Sequence, residues 1–149
     1  MALTIRDATP ADETVWRNLW SQYLAFYKVD LTPSVTDATW NRLMDERSAM
    51  SVRLAEVDGE VVGFAIHHTH PSTWMIEDDC YLEDLFLTEA ARGKGVGRAL
   101  IDDLIALAKR RGLGRLYWHT NEDNHTARKL YDSYVKADGH LRYRMRLID

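Results

Sequence analysis

The sequence predicts a mixed α/β (α+β) domain, with a central β-sheet of about six or seven strands flanked by about four helices. Three observations predict it. Short runs that alternate apolar and polar residues read as strands, and they are interspersed with apolar stripes at helical spacing. Two of the strand runs meet at Asp58-Gly59, a strong hairpin signal, so the sheet is mixed. A further strand leads into a glycine-rich segment and then a long amphipathic helix.

The elements follow in the order β-α-α-β-β-β-α-β-α-β. Leu3 to Ala8 alternates as a short strand does. Thr9 is a candidate helix cap, Pro10 suits the first helical position, and Asp12 and Glu13 favour the positive end of the dipole. Val15, Trp16, Leu19, Trp20, Tyr23 and Leu24 then recur at helical spacing. A second helix is expected over Ala38 to Arg47. Val52 to Val57 and Val61 to His67 form the predicted hairpin, and Tyr81 to Leu87 the next strand. The long helix runs from about Gly95 to Arg111, where Lys109, Arg110 and Arg111 suit its negative end and Gly112 its stop. Leu116 to His119 reads as a strand, Asn124 to Ser133 as a short helix, and Leu141 to Leu147 as a last strand.

The 149 residues suit one domain over residues 1–149, with 46% apolar and 28% charged residues. The net charge of -4 lacks the basic excess of a nucleic-acid binder. No apolar run reaches the roughly 20 residues that span a bilayer, and no leader pattern opens the chain. A cytoplasmic protein is the expectation. A single cysteine, Cys80, makes no internal disulfide, and it reads as a small buried thiol. His67, His68 and His70 lack a matched set of further ligands, so no metal is expected. Glu77-Asp78-Asp79 with Glu83 and Asp84 forms an acidic run, either a solvated loop or a rim that draws a cationic amine.

A strand, a glycine-rich turn and a helix N-terminus together bind phosphate, because the first helical N–H groups are unpaired and the dipole favours an anion. Arg92, Lys94 and Arg98 add positive charge. The P-loop is excluded: Gly93-Lys94 is followed by Gly95, not by a hydroxyl. The dinucleotide fingerprint is excluded by the spacing of Gly93, Gly95 and Gly97 and by their place late in the chain. Arg92-Gly93-Lys94-Gly95-Val96-Gly97 does fit the pattern Arg/Gln-x-x-Gly-x-Gly/Ala.

With that pattern the chain resembles the GNAT superfamily of N-acetyltransferases, over nearly its whole length. Tyr81-Leu82-Glu83-Asp84-Leu85-Phe86-Leu87 is similar to the central strand of polyamine (diamine) acetyltransferases. Asn124-His125-Thr126-Ala127-Arg128-Lys129-Leu130-Tyr131 is similar to the late N-x-x-A-x-x-L-Y helix, and the Trp118 to Tyr131 stretch to yeast-type histone and polyamine acetyltransferases. The Gly-Phe that often follows the L-Y pair is replaced here by Tyr134-Val135-Lys136.

The resemblance implies acetyl-CoA as co-substrate and a primary amine as acceptor, attacked directly. It implies that the backbone of Leu85, Phe86 and Leu87 contacts the acetyl group and pantetheine arm, beside a strand bulge. Arg92, Gly93, Lys94, Gly95, Val96, Gly97 and Arg98 would hold the pyrophosphate. Asn124 and Ala127 would line the far side of the arm. Tyr131 would be the general acid, since a phenol is protonated at neutral pH. Glu83 would be the base, directly or through water. Strict alternation places Glu83 and Asp84 on opposite faces, so only one would face the amine. Trp16, Trp20, Tyr23 and Tyr27 are expected in the core first, some of them also touching the acceptor. The acceptor is a small cationic amine, a polyamine or an amino-acid-like amine. A protein lysine, or an acyl-CoA-binding regulator without catalysis, are the alternatives. Related enzymes imply a homodimer.

Overall fold

The computed structural model describes residues 1–149. They fall into two compact units, 1–118 and 119–149. The first unit contains β1 (Leu3–Asp7), α1 (Glu13–Phe26), α2 (Pro33–Met44), β2 (Met50–Val57), β3 (Glu60–His70), β4 (Asp79–Leu87), α3 (Val96–Arg110) and β5 (Arg115–Trp118). The second contains α4 (His125–Asp132).

The sheet has five strands in the order β1-β2-β3-β4-β5. The first four pair antiparallel, and β4 pairs with β5 in parallel through α3. The hairpin between β2 and β3 turns at Asp58 (φ 52°) and Gly59 (φ 83°). Two positive φ values in succession match the right-handed strand twist, and this is why Asp-Gly suits the turn. A single 3-10 turn, Pro10–Asp12, leads into α1. There the Thr9 N–H donates to the Asp12 carboxylate at 2.7 Å.

Side-chain alternation divides the core between the two sheet faces. One face carries Val52, Leu54, Phe64, Ile66 and Phe86, covered by Trp16, Leu19 and Trp20 of α1 and Trp40 and Leu43 of α2. Trp16 packs its ring 5.3 Å from those of both Trp20 and Trp40. The other face carries Ala55, Ala65, Cys80 and Leu82 under Val96, Leu100, Leu104 and Leu107 of α3. The predicted α3 stripe is thus the buried face, each large side chain contributing about 1.5 to 3 kcal/mol. Arg53 ties three elements together. It donates to Asp103 of α3 from two nitrogens, each at 2.9 Å, and to Asp7 of β1 at 2.8 Å.

The expected last strand over Leu141 to Leu147 is absent. Residues 136–149 hold no regular element, and Leu141, Tyr143, Met145 and Leu147 are 79–90% exposed. Alternation supplies a face, but a strand also needs a ladder partner, and this segment has none in the sheet. The sheet therefore has five strands where about six or seven are expected. The four helices match the expectation, and α2 begins earlier than predicted because Pro33 opens it after Thr32.

Candidate active site

The site is organised by an irregularity in β4. Ile66 pairs with Asp84, but the next residue of β3, His67, pairs with Leu82. Glu83 is skipped and forms a β-bulge. Alternation resumes beyond it, with Phe86 on the α1 face and Leu85 and Leu87 packed toward α3.

The bulge corrects the expectation that Glu83 and Asp84 point to opposite faces. Asp84 reaches α1, where the Tyr23 hydroxyl donates to its Oδ1 at 2.6 Å. Glu83 Oε1 lies 3.0 Å from His68 Nε2. His68 is two residues from Ile66, which lies in the α1-side core, and its cross-strand partner is Tyr81. The extra residue breaks the period of two, and both carboxylates reach the same side.

Asp84 sits among the rings of α1 and the sheet. Tyr23 lies 5.3 to 5.9 Å from the rings of Trp20, Phe64 and Phe86, and 5.0 Å from Tyr27. Burial pushes the Asp84 carboxyl up to about 6. The Tyr23 hydroxyl pulls it down, the Glu83 charge raises it, and His68 lowers it. Tyr23 itself is driven well above its ordinary range, by burial first and then by the Asp84 charge. Burial and the same charge also raise Tyr27.

The three histidines of β3 have separate surroundings. His67 is buried toward α3 with its Nε2 unpartnered, and burial with Arg111 and Arg53 holds it down to about 4. His68 meets Glu83, and its ring edge stands against Tyr81 at 5.2 Å. His70 Nε2 is 2.7 Å from the Tyr117 hydroxyl, while its Nδ1 faces the Pro71 carbonyl at 2.8 Å. Tyr81 stacks on Tyr117 at 4.8 Å and 14°. The acidic run is shortened, because Arg115 holds Asp79 with two bonds of 2.9 Å and keeps its carboxyl below the usual range. Cys80 is buried as expected, and burial pushes its thiol up to about 11.

The glycine segment follows β4. Gly93 (φ 73°) and Gly95 (φ 82°) are in the left-handed region, and a Cβ on either would meet nothing within 4 Å. Gly95 caps α3 with no side-chain bond, and the first helical bond runs from the Ala99 N–H to the Gly95 carbonyl. By helix geometry the amides of the first turn have no acceptor within the helix itself. Val96 and Gly97 are buried in the helix contact, while Lys94 and Arg98 are exposed. An open cradle of backbone N–H groups at a helix N-terminus, with two cations, fits a pyrophosphate. Arg92 is placed differently from its neighbours. Its guanidinium lies 5.0 Å from the Phe26 ring and 5.9 Å from that of Phe86, at the end of α1. The side chains of Leu85, Phe86 and Leu87 are engaged in the two cores, so this stretch has only backbone to offer a ligand.

Tyr131, Asn124 and Ala127 belong to the second unit. Asn124 caps α4 by accepting from the Ala127 N–H at 3.3 Å. Tyr131 lies in the last turn of that helix, partly buried, and its carbonyl accepts from Tyr134 and Val135.

The sequence reading missed the pairs Tyr23–Asp84 and His68–Glu83. The first joins residues 61 apart and the second residues 15 apart. The first is a helix-to-sheet contact that strand alternation does not address, and the second depends on the register shift at the bulge.

A profile of the acetyltransferase (GNAT) family matches residues 13–134. The chain belongs to that family. It is 36% identical over 131 residues to the D-amino-acid N-acetyltransferase HPA3 of Saccharomyces cerevisiae, covering 87% of this chain and 81% of that one. It is 31% identical over 105 residues to the thialysine N-epsilon-acetyltransferase of Caenorhabditis elegans, covering 67% and 65%. The ribosomal-protein-alanine N-acetyltransferase structure from Brucella melitensis biovar Abortus 2308 superposes with a TM-score of 0.82 at 27% identity, covering 97% and 99%. The chain is thus an acetyl-CoA-dependent N-acetyltransferase with the GNAT fold. No group of three or more candidate metal ligands is gathered anywhere, and no helix is long and apolar enough to cross a membrane.

Proposed function

We propose that the chain transfers the acetyl group of acetyl-CoA to the primary amine of a small cationic or amino-acid-like acceptor, by direct attack. The observation that carries this reading is the bulge at Glu83, which brings the carboxylates of Glu83 and Asp84 to one side of the sheet. Two carboxylates beside aromatic rings attract an ammonium ion, and one of them can take its proton. The names of the yeast and worm relatives, which specify a D-amino acid and thialysine, support an amino-acid-like acceptor.

In this reading the amides from Gly93 to Gly97, with Lys94 and Arg98, bind the pyrophosphate. The backbone of Leu85, Phe86 and Leu87 receives the acetyl and pantetheine arm, and Asn124 and Ala127 line its far side. Removal of the amine proton depends on Glu83, directly or through an intervening group. The new nitrogen–carbon bond forms as the carbon–sulfur bond breaks, and Tyr131 gives a proton to the departing thiolate. Alignment of the two reactants supplies much of the rate.

A panel of D- and L-amino acids, thialysine, spermidine, an aminoglycoside and a lysine-rich peptide tests the acceptor class, with thiol release from acetyl-CoA as the readout. Turnover with the small amines is expected. Turnover with the peptide alone, or with none of the panel, sinks the reading.

A further inference from the structure

We infer that His68 is the group that takes the acceptor's proton, and that Glu83 orients its ring. This rests on the proposal that the Glu83 end of the bulge faces the amine. An ionised carboxylate only accepts hydrogen bonds, so the 3.0 Å contact requires the hydrogen on His68 Nε2. In neutral His68 the lone pair is then on Nδ1. A carboxylate bonded to one ring nitrogen fixes the tautomer and makes the other nitrogen the base, whatever the fold.

Packing singles out this histidine among the three on β3. His67 is enclosed and faces α3. His70 has both ring nitrogens engaged, one with Pro71 and one with Tyr117. The side chain of His68 is 23% exposed and bonds Glu83 through Nε2. Its ring is buttressed: Tyr81 stands against it, Tyr117 stacks on Tyr81, and His70 anchors Tyr117. Three strands therefore hold the wall on which His68 leans.

The neighbours of the ring come from three elements. From β4, Glu83 and Asp84 both act on this corner, with Tyr81 alongside. From α1, Tyr23 lies within the field of Glu83 and Asp84. From β2, the cross-strand partner of His68 is uncharged Met50. The step balances: one proton leaves the ammonium for His68 Nδ1, the freed electron pair of the amine bonds the acetyl carbon as the carbon–sulfur bond breaks, the second proton the nitrogen sheds replaces the one taken up by the thiolate, and His68 returns its proton to water. No oxidant or further reactant is needed.

The test is a set of pH profiles of kcat/KM for wild type, His68→Gln and Glu83→Gln, with thermal stability and acetyl-CoA affinity measured alongside. A glutamine in place of His68 can still donate to Glu83 but cannot carry the proton. His68→Gln is expected to lower kcat by about 10²-fold or more with folding and acetyl-CoA affinity unchanged. Glu83→Gln should lower turnover less than His68→Gln does, because the ring loses the partner that fixes its tautomer and keeps its base. Imidazole should restore part of the turnover of His68→Ala. If Glu83→Gln falls while His68→Gln keeps its turnover and pH profile, Glu83 acts alone and the inference is overturned, with the base reading intact. If Glu83→Gln keeps both turnover and profile, the base reading fails as well.

Discussion

Replacing Asp84 by asparagine should make the protein more stable at high pH and leave it nearly unchanged at low pH. Asp84 has its carboxyl raised from 3.8 to about 6, first by burial. A carboxyl raised in the folded state contributes most below its unfolded value, and the contribution is lost as pH rises through the folded value. Wild type therefore loses stability through this group between about pH 4 and pH 6. The gap of about two pKa units corresponds to up to about 3 kcal/mol at 1.36 kcal/mol per unit. The asparagine side chain keeps an oxygen to accept the 2.6 Å bond from Tyr23, so the fold loses no hydrogen bond. Asp12, held at about 2 by Arg6, has the opposite pH dependence, but it is common to both proteins and cancels in the difference. Urea unfolding at pH 4 and pH 8 measures the effect. With slopes of about 1 to 3 kcal/mol per molar, the midpoint of Asp84→Asn at pH 8 should exceed that of wild type by up to about 1 to 3 M. An equal gap at both pH values, or a less stable variant at pH 8, would show that Asp84 is not ionised against burial there. The same variant should bind a cationic acceptor more weakly, which a rise in the amine KM reports.

Three further outcomes are expected. Tyr131→Phe should lower kcat by about 10²-fold or more while the acetyl-CoA Kd, read by calorimetry, stays constant; equal turnover removes Tyr131 from the acid role. Gly95→Ala should cost about 1 to 2 kcal/mol in thermal unfolding, because φ is 82° and an added Cβ meets no protein atom within 4 Å. A loss of acetyl-CoA affinity on top of that cost would come from the methyl meeting the ligand, and unchanged affinity would place the pyrophosphate elsewhere. His67 is neutral in the fold, lowered from 6.5 to about 4, so its contribution is present above about pH 6.5 and is lost as pH falls toward 4, by up to about 3 kcal/mol. His67→Leu should flatten that acid loss in denaturant titrations, and an unchanged acid slope contradicts the burial argument.

Much of this protein is set by local pattern. Asp58-Gly59 places the hairpin because few residue pairs accept two positive φ values in a row. Val96, Leu100, Leu104 and Leu107 mark the buried stripe of α3 because helical period and burial coincide. Arg92 to Gly97, together with the Tyr81 to Leu87 and Asn124 to Tyr131 segments, points to the family, because glycines, a helix start and short motifs are local features. Leu141 to Leu147 has an equally clear pattern yet forms no strand, since pairing is decided by a partner outside the segment. The proposed acceptor side belongs to the tertiary structure for the same reason. One skipped residue in β4 turns Glu83 toward His68 and Asp84 toward Tyr23. A bulge is a property of two strands together, and no residue type in β4 alone encodes its position.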